Sequence, residues 1–109
     1  MAQKLVQIHF GLTVSGDEYT QTVAPLAQAI ADLAGLQWKI WLLNDVTHAA
    51  GGIYLFADES SARSFLSSSL LVQLRAAPFL QDVRVQQFDV LTDLTEITRG
   101  PLSAYAAGL

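Results

Sequence analysis

The chain begins in strict alternation. In residues 4 to 12, KLVQIHFGL, Val6, Ile8, Phe10 and Leu12 share one parity, and Leu5, Gln7 and His9 share the other. A period of two marks a β-strand, whose successive side chains point to opposite faces. The period then lengthens. Ser15 and Glu18 have the spacing of a capping box, and Val23, Leu26, Ala27, Ile30, Leu33 and Ala34 follow at helical intervals. Pro25 removes one helical hydrogen bond inside that run, which predicts a bend or a second helix start. Gly35 stands where a C-terminal cap belongs.

Two apolar runs come next, LQWKIWLLN at 36 to 44 and GIYLFA at 52 to 57. They read as strands joined through DVTHAAG, a hairpin connection part of which can extend the strands. Asp58 offers an N-cap for a second amphipathic helix through Ala62, Phe65, Leu66, Leu70 and Leu74. The weak helix formers Ser67 to Ser69 can break it, and Pro78 ends it. VRVQQFDVL at 83 to 91 is the fourth strand. Val83 and Val85 share one parity there, Phe88 and Val90 the other, so a bulge near Gln86–Gln87 is expected to bring all four to one face. Thr92 is placed to cap a last short helix that Gly100 and Pro101 stop. The tail LSAYAAGL either frays or packs on a partner.

The element order is β-α-β-β-α-β, that of a ferredoxin-like α+β sandwich: a four-stranded antiparallel sheet with both helices on one face. Residues 1–99 make one domain and 100–109 a C-terminal tail. Parity assigns the faces. Val6, Ile8, Phe10, Leu12, Trp38, Ile40, Leu42, Ile53 and Leu55 are expected under the helices. Leu5, Gln7, His9, Lys39, Trp41, Leu43, Tyr54 and Phe56 are expected on the opposite face. That second face is too apolar for water and too polar for a core, which points to an interface or a ligand site. A half-open sheet can bury it against a copy of itself, enclosing a pocket between two sheets.

Composition sharpens this picture. Hydrophobic residues make up 51% and charged residues 15%, against roughly 25% charged in an average domain. A surface so short of charge fits one partly covered by another subunit. The net charge is −4, and the six Lys and Arg residues are scattered, with no basic patch to neutralise phosphates; nucleic acid is therefore excluded as a partner. The absence of cysteine removes disulfides, iron–sulfur clusters and thiolate nucleophiles. No run approaches the roughly 18 apolar residues of a membrane span, and MAQKLVQIHF does not read as a signal peptide. A cytoplasmic location is the default expectation.

The stretch Trp38 to Phe56, with Asp58, Ser61–Ala62 and Phe65–Leu66 after it, resembles the YdhR-like monooxygenase family. So do LVQIHF near the start, PLAQAI at 25 to 30, and FDV at 88 to 90 followed by Leu94 and Ile97. The likeness runs from about 4 to 98, and WKIW followed by AGGIYLF is its most specific part. The resemblance implies a homodimeric α+β barrel and kinship with cofactor-independent oxygenases acting on polycyclic aromatic phenols and quinols. It carries over no catalytic set, so the candidate residues rest on facing and chemistry.

Adding O₂ to an organic molecule without metal or flavin needs an electron-rich substrate, a base, donors for the oxyanion, and an apolar room. His9 is the first candidate base; its alternative is a half-buried strand histidine bonded to a carbonyl. Trp41 suits stacking on a flat substrate, or dimer-interface packing. Tyr54 can donate to an oxyanion or pair across an interface. Lys39 can hold an anionic substrate or snorkel to solvent. Gln7, Asn44 and Phe56 complete a candidate pocket, with His48 at its rim or simply exposed in a loop. Trp38 is assigned to the core. Gly51–Gly52 is too short for a phosphate loop and implies a turn or a close backbone approach. The expected function is a cofactor-free monooxygenase acting on a small aromatic molecule and O₂ at the sheet face of a homodimer. The alternatives are a non-catalytic dimer binding a small aromatic or apolar ligand, and haem handling, which would need His9 or His48 as axial ligand.

Overall fold

The computed structural model describes residues 2–102. Strand β1 (Lys4–Leu12) leads into α1 (Gly16–Val23), where the Ser15 hydroxyl accepts a hydrogen bond from the Glu18 amide at 3.1 Å. Pro25 does interrupt the helix: it lies at the start of a 3₁₀ turn (Ala24–Leu26), after which the short α2 (Ala27–Ala31) begins. Gly35 takes φ +78°, a left-handed conformation that a side chain resists, and a Cβ there would also strike the Ser61 side chain.

β2 (Leu36–Asn44) and β3 (Ala49–Phe56) form the hairpin. Asp58 caps α3 (Glu59–Leu66) by accepting from the Ser61 amide at 2.8 Å. The serine run does break the helix: Ser68 caps a separate α4 (Ser69–Ala76). β4 (Leu80–Asp89) and α5 (Thr92–Ile97) complete the chain. Thr92 is the first residue of α5 and not its cap; Leu91 flanks the helix and provides no side-chain hydrogen bond. The helix closes instead at its C-terminus, where the Gly100 amide donates to Thr95 O at 2.8 Å and the Arg99 amide to Glu96 O at 3.0 Å around a left-handed Arg99.

The sheet is antiparallel in the order β2-β3-β1-β4, the ferredoxin-like arrangement that the element order predicts. Helices α1 to α4 cover one face. β1 faces as expected, with Val6, Ile8, Phe10 and Leu12 buried beneath them.

The hairpin faces the other way from expectation. Val6 stands opposite Tyr54 and Ile8 opposite Gly52, while Lys39 pairs with Tyr54 and Trp41 with Gly52. Directly opposed residues share a face. Lys39, Trp41, Leu43, Tyr54 and Phe56 therefore lie on the helix-covered side, and Trp38, Ile40, Leu42, Ile53 and Leu55 on the open side. Two features account for this. A bulge at Gln37 lets Leu36 pair with Phe56 yet Trp38 with Leu55, reversing parity within β2. And both parities of β3 are apolar, so packing decides: Tyr54 and Phe56 stack on each other and pack against Phe65 of α3.

The β4 bulge is also displaced. It falls at Asp82–Val83, opposite Phe10, with Asp82 at φ 56°, and not at Gln86–Gln87. Beyond it the ladder is regular, so Val83 and Val85 pack on the core while Phe88 stays opposite Leu5 on the open face. The start of the tail covers part of that face. Trp38 Nε1 donates to Pro101 O and Gln3 Nε2 to Leu102 O, both at 2.8 Å, and Leu55 and Leu102 are buried. The expectation that the tail frays or packs on a partner falls mainly on residues 103–109, outside the described residues.

Candidate functional site

A cavity of about 230 Å³ lies between the helix-covered sheet face and α1 and α4. Ile8, Phe10 and Tyr54 form its floor, Lys39 and Trp41 one side, and Tyr19, Phe65 and Leu71 much of the rest. Thr22 and Gln73 are its uncharged polar contributions from the helices. Among the described residues no carboxylate lines it. Ligand sites for drug-sized molecules run about 300–1,000 Å³, so this room suits a smaller molecule.

Lys39 is the site's central group. Its Nζ lies 3.4 Å from the Trp41 ring centroid and 4.5 Å from that of Tyr54. The arm reaches that position across Gly52: a Cβ on Gly52 would stand 2.5 Å from Lys39 Cε. Gly51 has a different reason to be glycine, since a Cβ there would sit 2.1 Å from Ile8 O. The pair thus reflects close approaches, of an amine in one case and a backbone in the other.

Two effects act on the amine. The aromatic faces attract its charged form, an interaction of about 0.5–2 kcal/mol. Burial disfavours the charge, and with no carboxylate in the cavity to offset it, burial wins and lowers the Lys39 pKa to about 7. Near neutrality the group can therefore accept a proton and, once charged, hold an anion. Tyr54 is shifted the opposite way: burial, with Tyr19 nearby, raises its pKa, so it remains a neutral hydrogen-bond donor at ordinary pH. Trp41 is partly exposed and forms the cavity's edge.

The remaining expected site residues are scattered. His9 is exposed on the open face between Gly51 and Arg84, the sheet's thickness away from Lys39, so it cannot share a pocket with Trp41 and Tyr54. Gln7 is also on that face, at the edge of a broad hollow of about 600 Å³ lined by Leu5, Trp38, Leu55, Phe88 and Leu94. Asn44 is structural: its Oδ1 accepts from the Val46 and Thr47 amides at 3.1 Å and closes the hairpin turn. His48 occupies that turn with φ 55°, its carbonyl accepting from the Leu12 amide at 2.7 Å. Phe56 is wholly buried in the core beside Tyr54. Trp38, expected in the core, is on the open face. Sequence reasoning missed Tyr19, Thr22 and Gln73, whose helical positions carry no signal of a cavity, and the specific task of Gly52. Among the described residues no cluster of three metal-ligating side chains occurs, and no helix is long and apolar enough to cross a membrane.

The fold and the cavity define a class, the ferredoxin-like α+β proteins with a ligand-sized space between sheet and helices. Solved structures share the fold at low sequence identity. A protein of unknown function from Nitrosomonas europaea superposes with a TM-score of 0.69 at 15% identity, covering 84% of this chain and 91% of its own. SnoaB, a cofactor-independent oxygenase from Streptomyces nogalater, gives 0.68 at 16%, covering 84% and 95%. A dimeric ferredoxin-like protein from Thermobifida fusca gives 0.61 at 18%, covering 83% and 93%. No curated protein matches the chain. The family model described as "Putative mono-oxygenase ydhR" matches residues 5–101, and the chain belongs to that family.

Proposed function

We propose that this protein is a cofactor-independent monooxygenase that oxidises a small phenol- or quinol-like aromatic molecule in the cavity between sheet and helices. The observation that carries the proposal is the Lys39 amine, held against Trp41 and Tyr54 in an apolar room and poised near neutral pH. Family membership and the likeness to SnoaB support the reaction class.

The chemistry follows from these groups. Lys39 takes the acidic proton of the substrate, leaving an electron-rich anion. The new ammonium and the Tyr54 hydroxyl stabilise the oxyanion. Trp41 stacks on the ring at the cavity edge. The anion reduces O₂, and the two recombine as a peroxide on the substrate carbon. For a substrate methylene, loss of water leaves a ketone: one oxygen atom stays as the carbonyl, and the other departs as water with both methylene hydrogens. His9 has no part in this cavity.

Oxygen uptake with a panel of hydroquinones and anthrones tests the reading. Consumption above buffer with at least one of them, abolished in Lys39→Met, is the expected result. A retained aromatic molecule that binds tightly and stays unaltered in air would instead mean a binding protein, and no uptake with any panel member would remove the enzyme reading. Neither histidine, the axial ligand that the haem reading called for, lines this cavity.

The open face supports a second part of the proposal, closure against a second copy into a dimeric barrel. Ile40 is 49% exposed, Leu42 38% and Phe88 43%, more apolar surface than a free sheet face comfortably shows to water. Sedimentation at micromolar concentration should give a dimer; a monomer would contradict it.

A further inference from the structure

We propose that Lys39 is also a carbonyl-capturing site, whose amine condenses with small aromatic aldehydes or ketones to form an imine inside the cavity. The chain has two lysines, and the structure treats them oppositely. Lys4 Nζ is paired with Asp89, which keeps it charged and occupied. Lys39 faces no carboxylate among the described residues of its cavity and lies 3.4 Å from the centroid of Trp41, with its arm laid over Gly52. A lysine desolvated in an apolar pocket is the usual setting for a nucleophilic amine.

The surroundings complete the requirements. Trp41, Tyr19 and Phe65 supply aromatic walls for a ring beside the reacting carbonyl. Tyr54 supplies a hydroxyl that stays protonated and can donate to the carbonyl oxygen as it leaves. The step balances without an oxidant or reductant. The amine lone pair attacks the carbonyl carbon, the carbinolamine forms, and the carbonyl oxygen departs as water with both amine hydrogens, leaving C=N. Limited room for water then slows hydrolysis of the imine. Gly52 is the positioning residue, because a methyl there displaces the Lys39 arm from its place over the ring.

This inference rests on the cavity geometry and not on oxygen turnover, so the two fail separately. The intact protein is incubated near pH 7.5 under nitrogen with 4-hydroxybenzaldehyde, trapped with borohydride, and mapped by peptide mass spectrometry. Apart from the chain's α-amine, Lys39 should carry the reduced adduct, at a rate at least about tenfold above Lys4, whose amine Asp89 holds in the charged form. Gly52→Ala, with its fold verified by circular dichroism, should lower labelling of Lys39 and leave Lys4 unchanged. Equal labelling of the two lysines, or no adduct at Lys39, would overturn the proposal. An adduct in protein that consumes no oxygen with any phenol would leave it standing and remove the oxygenase reading instead.

Discussion

On the inner face of the sheet, Lys39 lies half-buried against Trp41 and Tyr54 beneath α1 and α4, with no carboxylate among the described residues that line its cavity. On the outer face, His9 stands between Gly51 and Arg84, exposed, with Ile40, Leu42 and Phe88 also open to solvent. Both faces mix aromatic, aliphatic and titratable side chains, and their sequences differ little in hydrophobicity. What separates them is enclosure. Helices over one face create a low-dielectric room in which a single amine changes its chemistry. A histidine is the better base by reference pKa, yet a buried lysine arrives at the same value through desolvation alone.

The comparison is broken most severely by emptying the inner face. Phe56→Ala removes a wholly buried ring that packs against both Tyr54 and Phe65, at about 3–5 kcal/mol by urea denaturation. A loss under 1 kcal/mol would mean that the helices do not pack on that face.

The pH dependence of stability is the next effect. The Lys39 pKa falls from 10.5 in the unfolded chain to about 7 in the fold. Between those values the unfolded state binds the extra proton, so stability rises with pH from about 7 towards 10. Below 7 both states are charged and the folded state bears the full cost of burying the ammonium. Above about 10 the raised pKa values of Tyr54 and Tyr19 act in the other direction, since the unfolded phenols lose protons first. Lys39→Met should flatten the rise between 7 and 10; an unchanged slope would place the amine in solvent.

The smallest effect on the folded subunit belongs to the outer face. Ile40→Ser should alter subunit unfolding by no more than about 0.5 kcal/mol, as for surface positions generally. It should, however, weaken self-association in sedimentation. A large loss of subunit stability would show that Ile40 is core after all.

Much of the fold was legible in the chain. Alternation in KLVQIHFGL placed β1 and its buried side correctly, and Ser15, Asp58 and the serine break located helix ends through hydrogen bonds that short polar side chains make only there. The hairpin faces were not legible. In β3, Ala50, Gly52, Tyr54 and Phe56 are as apolar as Gly51, Ile53 and Leu55, so alternation carries no contrast, and one extra residue at Gln37 reverses β2. The candidate site suffered accordingly. Lys39, Trp41 and Tyr54 were grouped together, as the structure has them, but on the wrong side of the sheet and in the company of His9. The depressed lysine is a property of enclosure by α1 and α4, which no local pattern in β2 encodes.

Oxygen uptake by the wild type, Lys39→Met and His9→Ala, measured side by side on one reactive quinol or anthrone, tests most directly that the chemistry belongs to the enclosed face. Lys39→Met should lose about 10²–10⁴-fold in turnover, the range for removing a general base, while His9→Ala should keep wild-type activity. The reverse pattern, with His9 essential and Lys39 dispensable, would put the site on the open face and contradict the enclosed cavity as the seat of reaction.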